Sequence, residues 1–100
     1  MEWMETQVTH DEAGSRYVIL AGDAEIGFAE YRLRQGEDGT IAEFHHTLID
    51  PARRGQGHAE RLVKAALDDV RTRNLKVQPS CWYVDQFIVE HPAYADLRAS

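Results

Sequence analysis

A glycine-containing turn between a strand-like and a helix-like segment constrains this chain most. Residues 41–49 have the composition of a strand, and residues 60–73 have the apolar periodicity of a helix. The turn between them includes the run Arg53-Arg54-Gly55-Gln56-Gly57-His58-Ala59. The first turn of a helix leaves backbone N–H groups without intrahelical partners. The sequence therefore predicts a strand–helix unit whose helix start is open to a ligand.

The same turn concentrates positive charge in an acidic chain. From Pro51 to Lys64 there are four Lys or Arg residues and one acid, a local charge of +3, whereas the whole chain carries −6 and the remainder −9. Free N–H groups, the positive end of the helix dipole and arginine side chains all favour bound phosphate. Glycine lets the backbone approach a pyrophosphate closely. We therefore predict a phosphate site at this turn, with an ordinary basic helix start as the alternative.

The turn matches neither of the two best-known phosphate loops. It lacks Gly-Lys-Ser/Thr, and it lacks the third glycine and the spaced acid of the dinucleotide fingerprint. It resembles instead the Gln/Arg-x-x-Gly-x-Gly/Ala motif of the GNAT superfamily, the acyl-coenzyme A-dependent N-acetyltransferases, with Arg54, Gly57 and Ala59 at the defined positions. Three further motifs, in order, are similar to a minimal single-domain branch of that superfamily: His46-Thr47, Ser80-Cys81-Trp82-Tyr83 and His91-Pro92-x-Tyr94. The resemblance extends from about Tyr17 to Leu97.

This resemblance implies binding of acetyl-coenzyme A and transfer of its acetyl group to an amine acceptor, which is a small molecule or a protein. It implies that the strands ending near residues 49 and 78 splay apart and admit the pantetheine arm. The implied cofactor-binding residues are Leu48 and Ile49, through backbone groups, and the turn residues Arg53, Arg54, Gly55, Gln56, Gly57, His58 and Ala59. The alternative is a nonenzymatic acyl-coenzyme A-binding or protein-interaction module.

Cys81, the lone cysteine, is the first catalytic candidate. It falls where a strand is followed by a helix start, and the helix dipole there favours the reactive thiolate. The resemblance places it near the thioester, either as a nucleophile that accepts the acetyl group or as an acid that protonates the departing thiolate. The alternative is a small buried core residue. Tyr83 is the candidate for a second acid, with packing as its alternative.

His45 and His46 are adjacent on a predicted strand, so their side chains point to opposite faces and do not bind one metal ion together. We predict no metal site. Phe44, His46 and Leu48 are predicted to share one face. The resemblance puts His46 near the splayed gap as a candidate base or substrate-orienting group, with a packed histidine as the alternative.

Two residues depart from the pattern of the superfamily. His58 stands where such turns usually carry an aliphatic residue, and we expect it to contact phosphate or pantetheine. Leu48 stands where this branch often carries an acid, so we do not expect a carboxylate general base at that position.

Composition favours one domain and excludes several functions. A chain of 100 residues that is 43% hydrophobic is adequate for a single core over residues 1–100. The acidic N-terminus, the absence of an apolar run of about 20 residues and the lone cysteine predict a cytoplasmic protein without a membrane partner. A net charge of −6 argues against nonspecific nucleic-acid binding, which requires a large basic surface.

Periodicity and turn residues predict the remaining elements. An antiparallel meander is expected over 16–21, 25–34 and 40–49, with a short edge strand over 6–10 and a loop over 11–15. A helix over 60–73 and a strand over 75–78, parallel to the 40–49 strand, follow. A last helix is predicted between an N-cap at Ser80 and Pro92. The predicted fold is a mixed α/β domain with a mainly antiparallel sheet of four or five strands and two helices, and the resemblance implies that this sheet is splayed.

Overall fold

A computed structural model describes residues 5–99, and the acidic N-terminal residues 1–4 lie outside this range. The described part forms one five-stranded sheet and two α-helices. The strands are β1 (Thr6–Asp11), β2 (Arg16–Ala21), β3 (Ala24–Gly36), β4 (Gly39–Ile49) and β5 (Lys76–Pro79). The helices are α1 (His58–Thr72), α2 (Trp82–Glu90) and the two short 3₁₀ helices Pro51–Arg53 and Pro92–Leu97. The predicted mixed fold is confirmed.

The strands lie in sequence order across the sheet. The first four form an antiparallel meander, and α1 carries the chain over to β5, which pairs with β4 in parallel. This parallel pairing runs from Ile41 opposite Lys76 to Phe44 opposite Pro79 and stops there. Proline has no N–H to donate to a ladder. As a result, β4 continues to Ile49 without β5 beside it.

A β-bulge interrupts β4 at His45. On β3, Glu30 pairs with His46, but the next residue, Tyr31, pairs with Phe44, so His45 has no partner of its own. Such an extra residue reverses the inward–outward alternation of side chains beyond it.

The bulge overturns one prediction about β4. Phe44 and Ile49 are both buried against the helices, whereas Leu48 is 40% exposed and His46 is exposed on the opposite, outer face of the sheet. The expectation that Phe44, His46 and Leu48 share one face is therefore wrong. His46 instead lies with its ring centroid 5.6 Å from that of Phe28.

One hydrophobic core joins the sheet to both helices. The predicted stripe of α1 is confirmed, since it buries Leu62, Val63, Ala66, Leu67 and Val70. From α2, the predicted inward residues Val84, Phe87 and Ile88 are also buried. Burial of these apolar side chains on the inner sheet face fixes α1 across the sheet, with its N-terminus at the end of β4.

The helix ends differ in detail from the predictions. Helix α1 begins at His58, two residues earlier than expected, and Asn74 with φ +60° supplies the left-handed stop predicted for its C-terminus. The N-cap of α2 is Cys81 instead of Ser80. Ser80 is unavailable because its hydroxyl donates to Glu43 Oε2 at 2.8 Å. Within residues 5–99, no helix has the length and apolar content needed to cross a membrane.

Replacement of Leu67 by alanine tests the packing of α1. Leu67 is 0% exposed and Leu33 is 55% exposed. The same truncation therefore leaves a cavity in the core at Leu67 but removes mostly solvent-exposed atoms at Leu33. We expect Leu67→Ala to lower the free energy of unfolding by about 2–5 kcal/mol. We expect Leu33→Ala to change it by no more than about 0.5 kcal/mol. Urea denaturation measures both, and equal losses would contradict this core.

Candidate functional site

The turn between β4 and α1 has the backbone of an open cradle. Gly55 and Gly57 have φ +82° and +79°, values that L side chains rarely adopt. Gly57 is the N-cap of α1 and supplies no side-chain cap, so the first N–H groups of the helix face outward. A Cβ placed on Gly55 would meet no atom within 4 Å, which leaves free space over the turn.

The arginines of this turn are not neutralised by acids. Within residues 5–99, no carboxylate forms an ion pair with Arg53, Arg54 or Arg61, although acids pair with most basic side chains elsewhere. Arg54 donates from Nε to the carbonyl of Ile49 at 3.2 Å. Lys64, also expected at the phosphate site, is instead paired with Asp68 at 3.1 Å. The charge of three guanidinium groups therefore remains available to an anion.

A pocket of about 220 Å³ connects this turn to the first turn of α2. Its lining includes most of the predicted cofactor-binding residues together with Tyr83: Ile49, Arg53, Arg54, Gly55, Gly57, His58, Ala59, Glu60 and Tyr83. Gln56 lies beside the pocket and contacts His58 and Arg61 instead. The structure thus brings the cationic turn and one candidate acid to the same cavity.

His58 is nearly buried, at 7% exposure, and forms hydrogen bonds from both ring nitrogens. Nδ1 lies 2.6 Å from Arg61 Nη2, and Nε2 lies 3.1 Å from Gln56 Oε1. Because a guanidinium group only donates, Nδ1 accepts, and Nε2–H donates to the amide oxygen. Burial, followed by the charges of Arg61 and Arg53, lowers the pKa of His58 below its usual value. His58 is therefore a neutral imidazole near pH 7.

The open edge of β4 presents backbone groups to the space left by β5. Asp50 N–H donates to Ile26 O on β3 at 2.8 Å. Since successive residues of a strand direct their backbone polar groups to opposite sides, those of Ile49 and Thr47 face away from β3. Leu48, the other predicted backbone contact, faces β3. The predicted backbone contact of Leu48 with the cofactor stays a prediction, and the orientation disfavours it because the backbone polar groups of Leu48 point toward β3.

Cys81 lies at the end of that space where the pairing of β4 with β5 stops. Its N–H donates at 2.8 Å to the carbonyl of Phe44, whose partner Pro79 ends the β4–β5 pairing two residues before Cys81. Its thiol Sγ lies 3.4 Å from Thr47 Oγ1 and is half-buried. Thr47 was not predicted as a site residue, although it belongs to the His46-Thr47 motif. The bulge turns Thr47 inward, so it is Thr47 that contacts the thiol.

Tyr83 stands in the first turn of α2, two residues after Cys81. Burial is the main cause that raises the pKa of its hydroxyl, and the nearby carboxylates of Glu60 and Glu90 raise it further. The phenol is therefore protonated at neutral pH and able to donate. Its neighbour Trp82 is 74% exposed.

His46 is not brought to this group of residues. It follows the bulge on the outer face, whereas its neighbour Thr47 contacts Cys81 on the inner side. Its predicted role as a base stays a prediction, but the structure separates it from the thiol. In the part of the chain that the structure describes, no group of three or more His, Cys, Asp or Glu side chains is placed to hold a metal ion.

A family model and a related sequence both match most of this chain. The sequence model of the family described as GCN5-related N-acetyl-transferase matches residues 16–97. A chicken (Gallus gallus) protein called NATD1 is 35% identical over 89 residues, covering 86% of this chain and 76% of the relative. A human protein of the same name is 42% identical over 52 residues, covering 52% of this chain and 46% of the relative.

The fold of this chain is similar to those of solved structures. A GCN5-like protein from Staphylococcus aureus superposes with a TM-score of 0.68 at 21% identity, covering 94% of this chain and 88% of that chain. Arabidopsis thaliana Naa50, in complex with the bisubstrate analogue CoA-Ac-MVNAL, superposes with a TM-score of 0.50 at 20% identity over 68% of this chain and 42% of that chain. At these identities the likeness concerns the fold. With the family match over residues 16–97, it means that the chain belongs to the GCN5-related N-acetyltransferase family.

Proposed function

We propose that this protein binds acetyl-coenzyme A and transfers its acetyl group to an amine acceptor, either a small molecule or a protein. The observation that carries the proposal is the cationic glycine turn, whose arginines have no acidic partner among residues 5–99 and whose pocket reaches Tyr83. The bisubstrate analogue bound to Arabidopsis Naa50 contains coenzyme A, which supports this choice of ligand. A cytoplasmic location is part of the proposal, since a reducing compartment keeps Cys81 as a thiol.

The turn fits the pyrophosphate of this ligand. The N–H groups at the start of α1 supply hydrogen bonds, and the left-handed Gly55 and Gly57 leave the backbone accessible. Arg53 and Arg54 line the same pocket and add two guanidinium groups. An anion bound there replaces water around guanidinium charges that have no carboxylate partner in the described part of the chain.

The open edge of β4 fits the pantetheine arm. Thr47 and the N–H of Ile49 face the space beyond Pro79, where β5 no longer pairs with β4 within residues 5–99, whereas the Ile49 carbonyl accepts from Arg54 Nε. Amides of an extended ligand can hydrogen-bond to such an edge as an added strand does. We therefore expect the end of the arm to lie at Cys81, next to the last β4–β5 pair.

The bound ligand would supply an acetyl group activated as a thioester. Tyr83 is then the proposed acid that protonates the departing thiolate, because its raised pKa keeps the hydroxyl protonated. Two routes differ in the part played by Cys81. In direct transfer, the amine attacks the thioester and Cys81 lines the site. In the covalent route, Cys81 Sγ bonds to the acetyl carbon as the thioester bond breaks, and Tyr83 protonates the departing thiolate and recovers a proton from the Cys81 thiol. The amine then displaces Sγ, which takes up the proton that the amine loses.

A nonenzymatic acyl-coenzyme A-binding module is the second candidate. Two observations favour it: His46 lies on the outer face, and Leu48 carries no carboxylate. Within residues 5–99, the hydrogen-bond partner of the Cys81 thiol is a hydroxyl, that of Thr47, and not a general base. A module of this kind would bind acetyl-coenzyme A at the same turn without turnover.

The cofactor proposal predicts a specific charge dependence. Acetyl-coenzyme A at a hundredfold excess over Kd is expected to stabilise the parent protein by about 2.7 kcal/mol, since it binds the native state only. Arg54→Glu is expected to remove most of that gain. Arg34→Glu is the matched control, because Arg34 is exposed, distant from the pocket and contacts Gln78. Thermal denaturation with and without ligand measures the effect; equal losses in both variants, or no gain in the parent, would contradict the site.

The glycine turn predicts a separation of stability from binding. Gly57→Ala and Gly22→Ala both place a side chain at a left-handed residue, with φ +79° and +62°. We expect each to cost about 1 kcal/mol of stability. A Cβ on Gly22 meets nothing, whereas one on Gly57 lies 3.4 Å from Arg61 Nη1 at the face of the cradle. Calorimetric titration with coenzyme A should show weaker binding for Gly57→Ala alone, and unchanged affinity there would argue against backbone contact.

The enzyme proposal predicts that binding and turnover separate at α2. Tyr83→Phe should still bind coenzyme A, but acetyl transfer should fall by about 10²-fold or more because the proposed acid is lost. On the covalent route, Cys81→Ala should show the same separation because the nucleophile is lost. Mass spectrometry of rapidly quenched parent protein distinguishes the routes, because only the covalent route acetylates Cys81. Full transfer by Cys81→Ala would return Cys81 to a packing role. Clear ligand binding by the parent without transfer to any amine would favour the nonenzymatic module.

A further inference from the structure

His58 joins the turn to α1 through a closed set of three hydrogen bonds. Arg61 Nη2 donates to His58 Nδ1 at 2.6 Å and to Gln56 O at 3.0 Å, and His58 Nε2 lies 3.1 Å from Gln56 Oε1. The imidazole is nearly buried and at the same time lines the pocket. Arg61 itself is exposed and is not among the residues that line the pocket.

The two acceptors that hold Arg61 are both neutral. One is a carbonyl and the other an imidazole nitrogen, and no carboxylate in the described range pairs with this guanidinium. Arg61 Nη1 lies 3.4 Å from the position a Cβ would take on Gly57, so the guanidinium extends across the turn. A phosphate oxygen is a stronger acceptor than either neutral group, since charge-assisted hydrogen bonds are roughly twice as strong.

We propose that His58 is a positioning residue: it holds Arg61 across the turn in the free protein and releases it to the pyrophosphate, taking up a proton at Nδ1. This inference rests on the proposed function, because the anion is the pyrophosphate of a coenzyme A-type nucleotide. One Arg61 N–H leaves Nδ1 for a phosphate oxygen. The lone pair of Nδ1 then takes a proton from solvent, and the Nε2–H bond to Gln56 is kept.

The charges that face His58 explain why its imidazole takes up a proton only when the anion binds. Arg61 from α1 and Arg53 from the preceding 3₁₀ helix oppose a second positive charge, and burial opposes it further. Arg54 lies on the same pocket, while Tyr83 from α2 is uncharged and Glu60 points toward His91 at 3.5 Å. A bound pyrophosphate diester brings two negative charges and takes Arg61 away from Nδ1. Both changes favour the imidazolium.

The direction of the pH dependence follows from linkage. The pKa of His58 lies below its usual value in the free protein, and the bound anion raises it. Binding therefore takes up part of a proton at pH values between the two pKa values, and affinity increases as pH falls through this window. One titrating group limits the slope to tenfold per pH unit.

Calorimetric titration with dephospho-coenzyme A tests this proposal. This probe keeps the pyrophosphate diester but lacks the phosphomonoester, whose own second pKa is near 6. In the parent, we expect proton uptake, read from the dependence of heat on buffer ionisation enthalpy, and affinity that tightens about three- to tenfold from about pH 8 to pH 6. His58→Asn keeps a neutral acceptor near Nδ1 but cannot titrate, so it should bind at pH 8 about as the parent does and lose the pH-dependent gain.

The remaining variants separate the possible failures. Arg61→Gln removes the guanidinium that moves to the phosphate and should reduce affinity at every pH. Arg73→Gln should not, because Arg73 is the C-cap at the far end of the same helix and is paired with Asp69. A histidine NMR titration of the parent should show one imidazole whose pKa rises on ligand binding and whose signal is absent from His58→Asn. Equal proton uptake by parent and His58→Asn would overturn the positioning role. No binding by the parent at any pH would instead contradict the proposed function.

Discussion

The end of parallel pairing at Pro79 is the constraint on which the site depends. Proline cannot donate the next ladder hydrogen bond, so β5 stops while β4 runs on to Ile49. The chain then turns back, and the Cys81 N–H donates to Phe44 O at 2.8 Å, which anchors the start of α2 beside the last pair. Within residues 5–99, the separation leaves the backbone of Thr47 and the N–H of Ile49 without a strand partner on one side, while the Ile49 carbonyl accepts from Arg54 Nε. The end of strand pairing at Pro79 thus explains both the opening for an extended ligand and the position of the Cys81 thiol.

Charge placement adds a second constraint at the other end of the opening. The chain carries a net charge of −6, yet the acids that form ion pairs with arginine or lysine within residues 5–99 do so away from the turn. The guanidinium groups of Arg53, Arg54 and Arg61 are held instead by carbonyls and a neutral imidazole or face the pocket. Keeping these cations close together without a carboxylate paired to them in the described residues is unfavourable for folding, and a bound anion offsets that cost. Burial of the α1 stripe keeps the helix start, and with it the turn, at a fixed position.

Much of this arrangement was predictable from the sequence, and the exceptions have physical reasons. The α1 stripe, the stop at Asn74 and the glycine turn follow from periodicity and backbone preference, which are local properties. The bulge at His45 is not local, because it depends on how β4 aligns with β3, and two adjacent histidines give no alternation to signal it. The missed role of Thr47 and the outer position of His46 both result from that one residue. The burial of His58 was also missed, since its partner Arg61 lies one helical turn away.

The most direct test of the central claim is an amide chemical-shift map of the protein during titration with acetyl-coenzyme A. The account predicts a continuous track of perturbed amides from the glycine turn, residues 55–59, through Ile49 and Thr47 to residues 81–83. It predicts little change at the β3–β4 hairpin around Gly39. Perturbations centred on the outer sheet face around His46 and Phe28, or confined to the turn without Thr47 and Ile49, would contradict a ligand that lies in the opening beyond Pro79.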